Sequence, residues 1–254
     1  MLAGSLYSER MILMKNTTII WVAGVLGLLF LILVLLVLTF DVAPIGPEGT
    51  SIGLSHINRY AFDLWGVSIF WYSITDWLGI AAIAVAFVFA FMGFIQLIKR
   101  RSFLKVDKTI LWLGGLYVIV IGLYVFFDVV IVNYRPIIMP GSVHPEASFP
   151  SSHTMVVCVI MGSALVLLKQ YIKNECLRIA LQVICAIVIL ITVCGRLISG
   201  AHWFTDILGG LLISTALVFF VFGDCGKDGI SEYKKVDKKR IALCYYNMRL
   251  LHNT

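Results

Sequence analysis

Three short polar islands stand beside long apolar runs in this chain. The first is Arg135-Pro136 and the second Pro150-Ser151-Ser152-His153. The third is Arg196, with His202 six residues on and Asp206 four beyond that. Two arginines, two histidines and one carboxylate at helix ends are what phosphoryl transfer through a phosphohistidine needs. Arginine binds phosphate oxygens bidentately and stays charged. Imidazole supplies a nucleophile or a proton donor, according to which nitrogen is free.

Each island also has a plain structural reading. Ser151 and Ser152, with Pro150 before them and Thr154-Met155-Val156-Val157 after, are a helix start with a serine cap. His153 adds chemistry to that cap, because a helix N-terminus presents free N–H groups and a positive dipole end to a phosphate. His202 and Asp206 are i, i+4 and share a helix face. A carboxylate there can accept Nδ1–H and leave Nε2 as the lone-pair nitrogen. Alone, the pair would be a self-satisfied His–Asp contact; Arg196, one short turn away, argues for a site. Arg135 alone would read as an interfacial anchor, yet it leads straight into the Ser-Ser-His loop. The rival chemistry is a zinc shell of His144, His153, His202 and Asp206. Two adjacent arginines would repel the dication, and no metal or other cofactor is expected.

The elements that must position these residues are membrane helices. Hydrophobic residues fill 60% of 254 positions and charged residues 13%, which excludes an ordinary soluble domain. Six stretches are long enough, or nearly so, for a hydrocarbon core of about 30 Å: 18–40, 77–98, 110–133, 154–172, 179–198 and 203–223. The first is too long for a secretory signal core and lacks a small-x-small cleavage site. The expected fold is all-α, six transmembrane helices in a single bundle over 1–223. It has a cytoplasmic segment 1–17, an outer loop 41–76, a motif region 128–206, and a basic cytoplasmic tail 224–254.

Charge sets the orientation. Of 20 Lys and Arg, only Arg59, Arg135 and Arg196 fall in outer segments and the remaining 17 lie opposite. The positive-inside rule then places both termini in the cytoplasm and the polar islands on the outer side of the plasma membrane. The net charge of +6 is this topology signal plus the basic tail, and nucleic acid is not an expected partner. The six cysteines contain no CxxC pair and read as reduced packing residues. The aromatic outer loop reads as an interfacial anchor or as a lid. Nothing in the sequence speaks to oligomeric state.

Together the islands resemble the signature of the type 2 phosphatidic acid phosphatase family of membrane lipid phosphatases: Lys-x6-Arg-Pro, then Pro-Ser-Gly-His, then Ser-Arg-x5-His-x3-Asp. The match runs from the third span through the sixth. The resemblance implies that His202 attacks phosphorus, Asp206 orients it, and His153 protonates the leaving oxygen and then activates water. It implies that Arg135, Arg196 and the amides around Ser151 and Ser152 hold the phosphoryl oxygens, without a metal. Three positions depart from the pattern. Ser152 replaces glycine, Gly195 replaces serine, and Asp128 stands where the lysine belongs. Seven residues is two helical turns, so Asp128 is expected near Arg135, with Arg135 or Arg196 as its partner. Arg59, the outer cation outside the motifs, either replaces the lost lysine at the phosphate or pairs with Asp63 one turn on.

The reading is a lipid-phosphate phosphatase with a bilayer substrate: an isoprenoid diphosphate, phosphatidylglycerophosphate or phosphatidic acid. The alternatives are a phosphotransferase of the same fold, and a non-catalytic lipid-binding or transport protein.

Overall fold

The structure, a computed structural model, describes the backbone of residues 2–139 and 141–223 and side chains from Thr17 onward. The basic tail expected over 224–254 lies outside the described residues. Among the described residues there are seven helices. They are α1 (Leu2–Thr39), α2 (Ser55–Trp65), α3 (Ile69–Arg100), α4 (Lys108–Val129), α5 (Ser152–Tyr171), α6 (Glu175–Ile198) and α7 (Phe204–Gly223). All except α2 contain a stretch long and apolar enough to cross a membrane. The protein is a multi-pass membrane protein with an all-α bundle.

Local chemistry sets the helix ends. Ser151 caps α5 by accepting from the Thr154 amide, and Asn174 caps α6 by accepting from the Leu177 amide. Ser68 does the same for α3 through the Trp71 amide. That cap corrects the expected second span. Phe70-Trp71-Tyr72 do not end an outer loop; they form the first turn of α3, which runs for 32 residues. At 1.5 Å per residue it is about 48 Å long, well beyond the hydrocarbon core. Asp76 therefore sits on a helix, two turns in. The third span closes at Val129 rather than 133.

α5 is the central helix. More than half of its span, 56%, is buried within the protein, against 11–22% for α1, α3, α4 and α6. Met155, Val157, Val159 and Met161 pack against Ala82 and Phe89 of α3, Leu113 and Leu116 of α4, and Val218 and Phe222 of α7. The peripheral helices show Leu28, Leu31 and Leu35, or Phe87 and Phe91, on their outer faces. That pattern suits a lipid solvent, where no polar outer face is needed.

The loops at one end of the bundle are tied together. Asn58 of α2 is fully buried. Its amide donates to the Gly53 carbonyl and the Thr205 hydroxyl, each at 2.9 Å, and its oxygen accepts from the Thr205 amide at 3.1 Å. The Gly53 amide reaches Asn133 at 3.2 Å, and the Ser68 amide reaches the Ser199 carbonyl at 3.2 Å. α2 is thus pinned to the start of α7 rather than left loose. Phe149 anchors the loop before α5, packing with Phe30 of α1 and Phe127 of α4 at centroid distances of 6.0 and 6.1 Å. Losing such a buried ring costs about 3–5 kcal/mol.

Candidate active site

The site is built where the α4–α5 loop folds back on itself. Residues 133–135 and 146–148 pair antiparallel: the Arg135 amide donates to the Glu146 carbonyl at 3.0 Å, and the Ser148 amide to the Asn133 carbonyl at 2.9 Å. This clip places Arg135 and Ser148 on either side of His202. The Trp203 indole fastens the α6–α7 turn to it, donating to the Tyr134 carbonyl at 2.7 Å.

His202 is buried. Its Nδ1 lies 3.1 Å from the Ser148 carbonyl, which can only accept, so Nδ1 carries the proton and Nε2 keeps its lone pair. Nε2 faces Arg135 Nη1 at 3.5 Å. Burial, then the Arg135 and Arg196 charges, hold the imidazole well below its usual 6.5, against the opposing pull of the Ser148 carbonyl. The ring is therefore neutral at physiological pH. Asp206 is fully buried and 3.7 Å from Nδ1, beyond hydrogen-bond range. Its carboxylate accepts from the Trp203 amide at 2.9 Å. In this arrangement Asp206 braces the turn that carries His202, and the backbone carbonyl of Ser148 fixes the tautomer.

Two cavities meet here. The first, about 300 Å³, is lined by Arg135, His202, Ser148, Glu146 and Asp128 among others. The second, about 330 Å³, is lined by Tyr72, Asp76, Gly79, Ile80, Ile83, His153, Val156 and Val157. Ser152 and Tyr124 line both. His202 thus belongs to a polar chamber, and His153 to an adjoining one with an apolar wall.

Arg196 is completely buried and lines neither cavity. Its Nη2 is paired with Asp76, and its guanidinium lies 4.8 Å over the Tyr72 ring. Its Nε and Nη1 are buried without a hydrogen-bond partner. The same Asp76 oxygen lies 3.1 Å from His153 Nε2. Asp76 was absent from the sequence-predicted set, as was Glu146, whose carboxylate lies 3.1 Å from Arg135 Nε.

The other expected residues fall into place as follows. The Ser151 hydroxyl caps α5 and its amide donates to the Asp206 carbonyl at 2.9 Å, so both are engaged. Ser152 lies at the junction of the cavities. Pro136 is buried and lines neither. Asp128 lines the first cavity, but the pairing expected with Arg135 or Arg196 does not form: those arginines hold Glu146 and Asp76 instead. Arg59 is not brought to the site. Its Nε is 3.1 Å from both Asp63 oxygens on an exposed face of α2. His144 is exposed, and among the described residues no three His, Cys, Asp or Glu are grouped to hold a metal ion.

Fold and site define a membrane-embedded helical bundle with buried arginine, histidine and carboxylate side chains gathered at one end. A profile of the PAP2 superfamily matches residues 128–228. The fold is similar to that of a transmembrane PAP2-type phosphatidylglycerolphosphate phosphatase from Bacillus subtilis, with a TM-score of 0.53 at 18% identity, covering 82% of this chain and 96% of that one. No curated protein matches the chain.

Proposed function

We propose that the protein is a lipid-phosphate phosphatase that forms a phosphohistidine on His202. The superfamily match and the fold likeness support a membrane lipid phosphatase in general. The observation that carries the finer reading is the His202 ring: buried, its Nδ1 on the Ser148 carbonyl, its Nε2 turned to Arg135 in the polar chamber. In this reading a substrate phosphate enters the first chamber over Ser152. Arg135 neutralises its developing charge, and the lipid body lies along Ile80, Ile83, Val156 and Val157 of the second. His202 Nε2 attacks phosphorus, the lipid oxygen leaves toward His153, and water then cleaves the P–N bond. The 17-to-3 cation split supports an outward-facing site in a plasma membrane, with both termini cytoplasmic.

The test is free-phosphate release by the purified protein in detergent from phosphatidylglycerophosphate, an isoprenoid diphosphate and phosphatidic acid, each with and without EDTA. Hydrolysis of at least one, unchanged by EDTA, is expected, because arginine supplies the charge neutralisation. Turnover only with an added acceptor would make the protein a phosphotransferase. Binding of all three without turnover would make it a lipid-binding protein.

A further inference from the structure

Asp76 lies outside the matched stretch 128–228 and outside all three motif islands, yet it joins two of their residues. We propose that Asp76 is a positioning residue for His153: anchored on Arg196, its carboxylate holds the Nε2 side of the imidazole at the wall of the second cavity, where the lipid oxygen departs. The assignment rests on the phosphatase reading above.

The geometry is specific. One Asp76 oxygen serves both Arg196 Nη2 and His153 Nε2. Arg196 is fully buried, whereas Asp76 and His153 are partly exposed and line the cavity. The order from protein to substrate is therefore Arg196, Asp76, His153. The backbone is shaped for this order at two glycines. A Cβ on Gly79, one turn beyond Asp76, would lie 3.1 Å from His153 Cδ2, so a side chain there would push the ring by a few tenths of an ångström. A Cβ on Gly195 would lie 2.6 Å from Thr75 Cγ2, so α6 approaches α3 closely enough for the Arg196–Asp76 pair only without a side chain there. The replacement of the motif serine by Gly195 thus goes with the carboxylate on α3. His153 is faced by Asp76 from α3, by Arg196 from α6 and by His202 and Arg135 from the loops.

In the first chemical step, His202 Nε2 forms the P–N bond as the P–O bond to the lipid breaks. The leaving oxygen takes the Nε2 proton of the His153 imidazolium, which is left as the neutral ring protonated on Nδ1, and Asp76 remains ionised on Arg196. A positioned acid matters most when the leaving group is a poor one. The two roles Asp76 could have, positioning and mere packing, therefore separate by leaving group.

The experiment compares the first turnover of a long-chain alkyl phosphate with that of p-nitrophenyl phosphate, for wild type, Asp76→Asn, Asp76→Glu and Gly79→Ala. Asp76→Asn is expected to slow alcohol release by about 10–100-fold while nitrophenol release changes far less. Asp76→Glu should restore part of the alkyl rate. Gly79→Ala, which crowds His153 without touching charge, should show the same selectivity more weakly and serves if Asp76→Asn does not fold. Equal losses on both substrates would overturn the assignment in favour of packing. A faster Asp76→Asn would overturn it in favour of a carboxylate that only blocks the phosphate seat. A wild type that releases neither product would overturn the phosphatase reading, and this assignment with it.

Discussion

Restoring the motif serine at position 195 should damage this protein. The Cβ of Gly195→Ser would lie 2.6 Å from Thr75 Cγ2 and 3.2 Å from Trp71 Cε3. Carbon atoms rest comfortably at about 3.5–4.0 Å, so the first contact is about 1 Å too short. Thr75 cannot turn away cheaply. It is fully buried and β-branched, and its hydroxyl lies 2.9 Å from the carbonyls of Trp71 and Tyr72. α6 must then back off from α3, at a cost of about 1–3 kcal/mol. The next residue, Arg196, moves with it and loosens its grip on Asp76. Misplacement by about 1 Å in an active site can cost about 100-fold in rate. Phosphate release and thermal melting in detergent, measured on the same preparation, check both halves: kcat/KM should fall by about tenfold or more and Tm should drop. Wild-type values of both would refute the close α3–α6 contact. A lowered Tm with intact kcat/KM would refute the coupling of that contact to the site.

The pH profile follows from His202, which lies outside the spanning helices. Its imidazole is held well below 6.5, so the neutral ring persists into acid and is lost only as pH falls through that lowered value. The acid limb of kcat/KM should therefore lie below 6.5, the ordinary imidazole value; a limb at or above it would contradict a nucleophile in this setting. Orientation is tested at Val143, which is 77% exposed in the loop before α5. With the native cysteines replaced, Val143→Cys should react with an impermeant thiol reagent in intact cells. Reaction only after the membrane is opened would turn the site to the inner leaflet.

Much of this was legible because polar residues are conspicuous in an apolar chain. Arg135, Ser152, His153 and His202 stand at the ends of uniform hydrophobic runs, and the structure gathers them around two joined cavities. The runs located the spans to within a few residues wherever a Ser, Asn or Pro marked the start. The exception was α3, whose first turns are aromatic and resemble an interfacial loop; reading them so left Asp76 in a loop. The signal that could have found it was present: an acid beside a long apolar run is a functional suspect in a membrane, as Asp128 was. Glu146 carried no such mark, being one polar residue in a polar loop. The Ser148 carbonyl had no signal at all, because a backbone acceptor next to His202 depends on the pairing of 133–135 with 146–148. Arg59 shows the reverse case: of its two readings, contact with the phosphate does not form and the i, i+4 pairing with Asp63 does.

The central claim is that His202 carries the phosphoryl group. It is tested most directly by mixing the purified protein with a radiolabelled lipid phosphate for less than one turnover, quenching in alkali, and mapping the label by mass spectrometry. The account predicts an alkali-stable, acid-labile phosphate on His202 that is absent from His202→Gln. Label on another residue, or turnover with no labelled protein at any time, would contradict it.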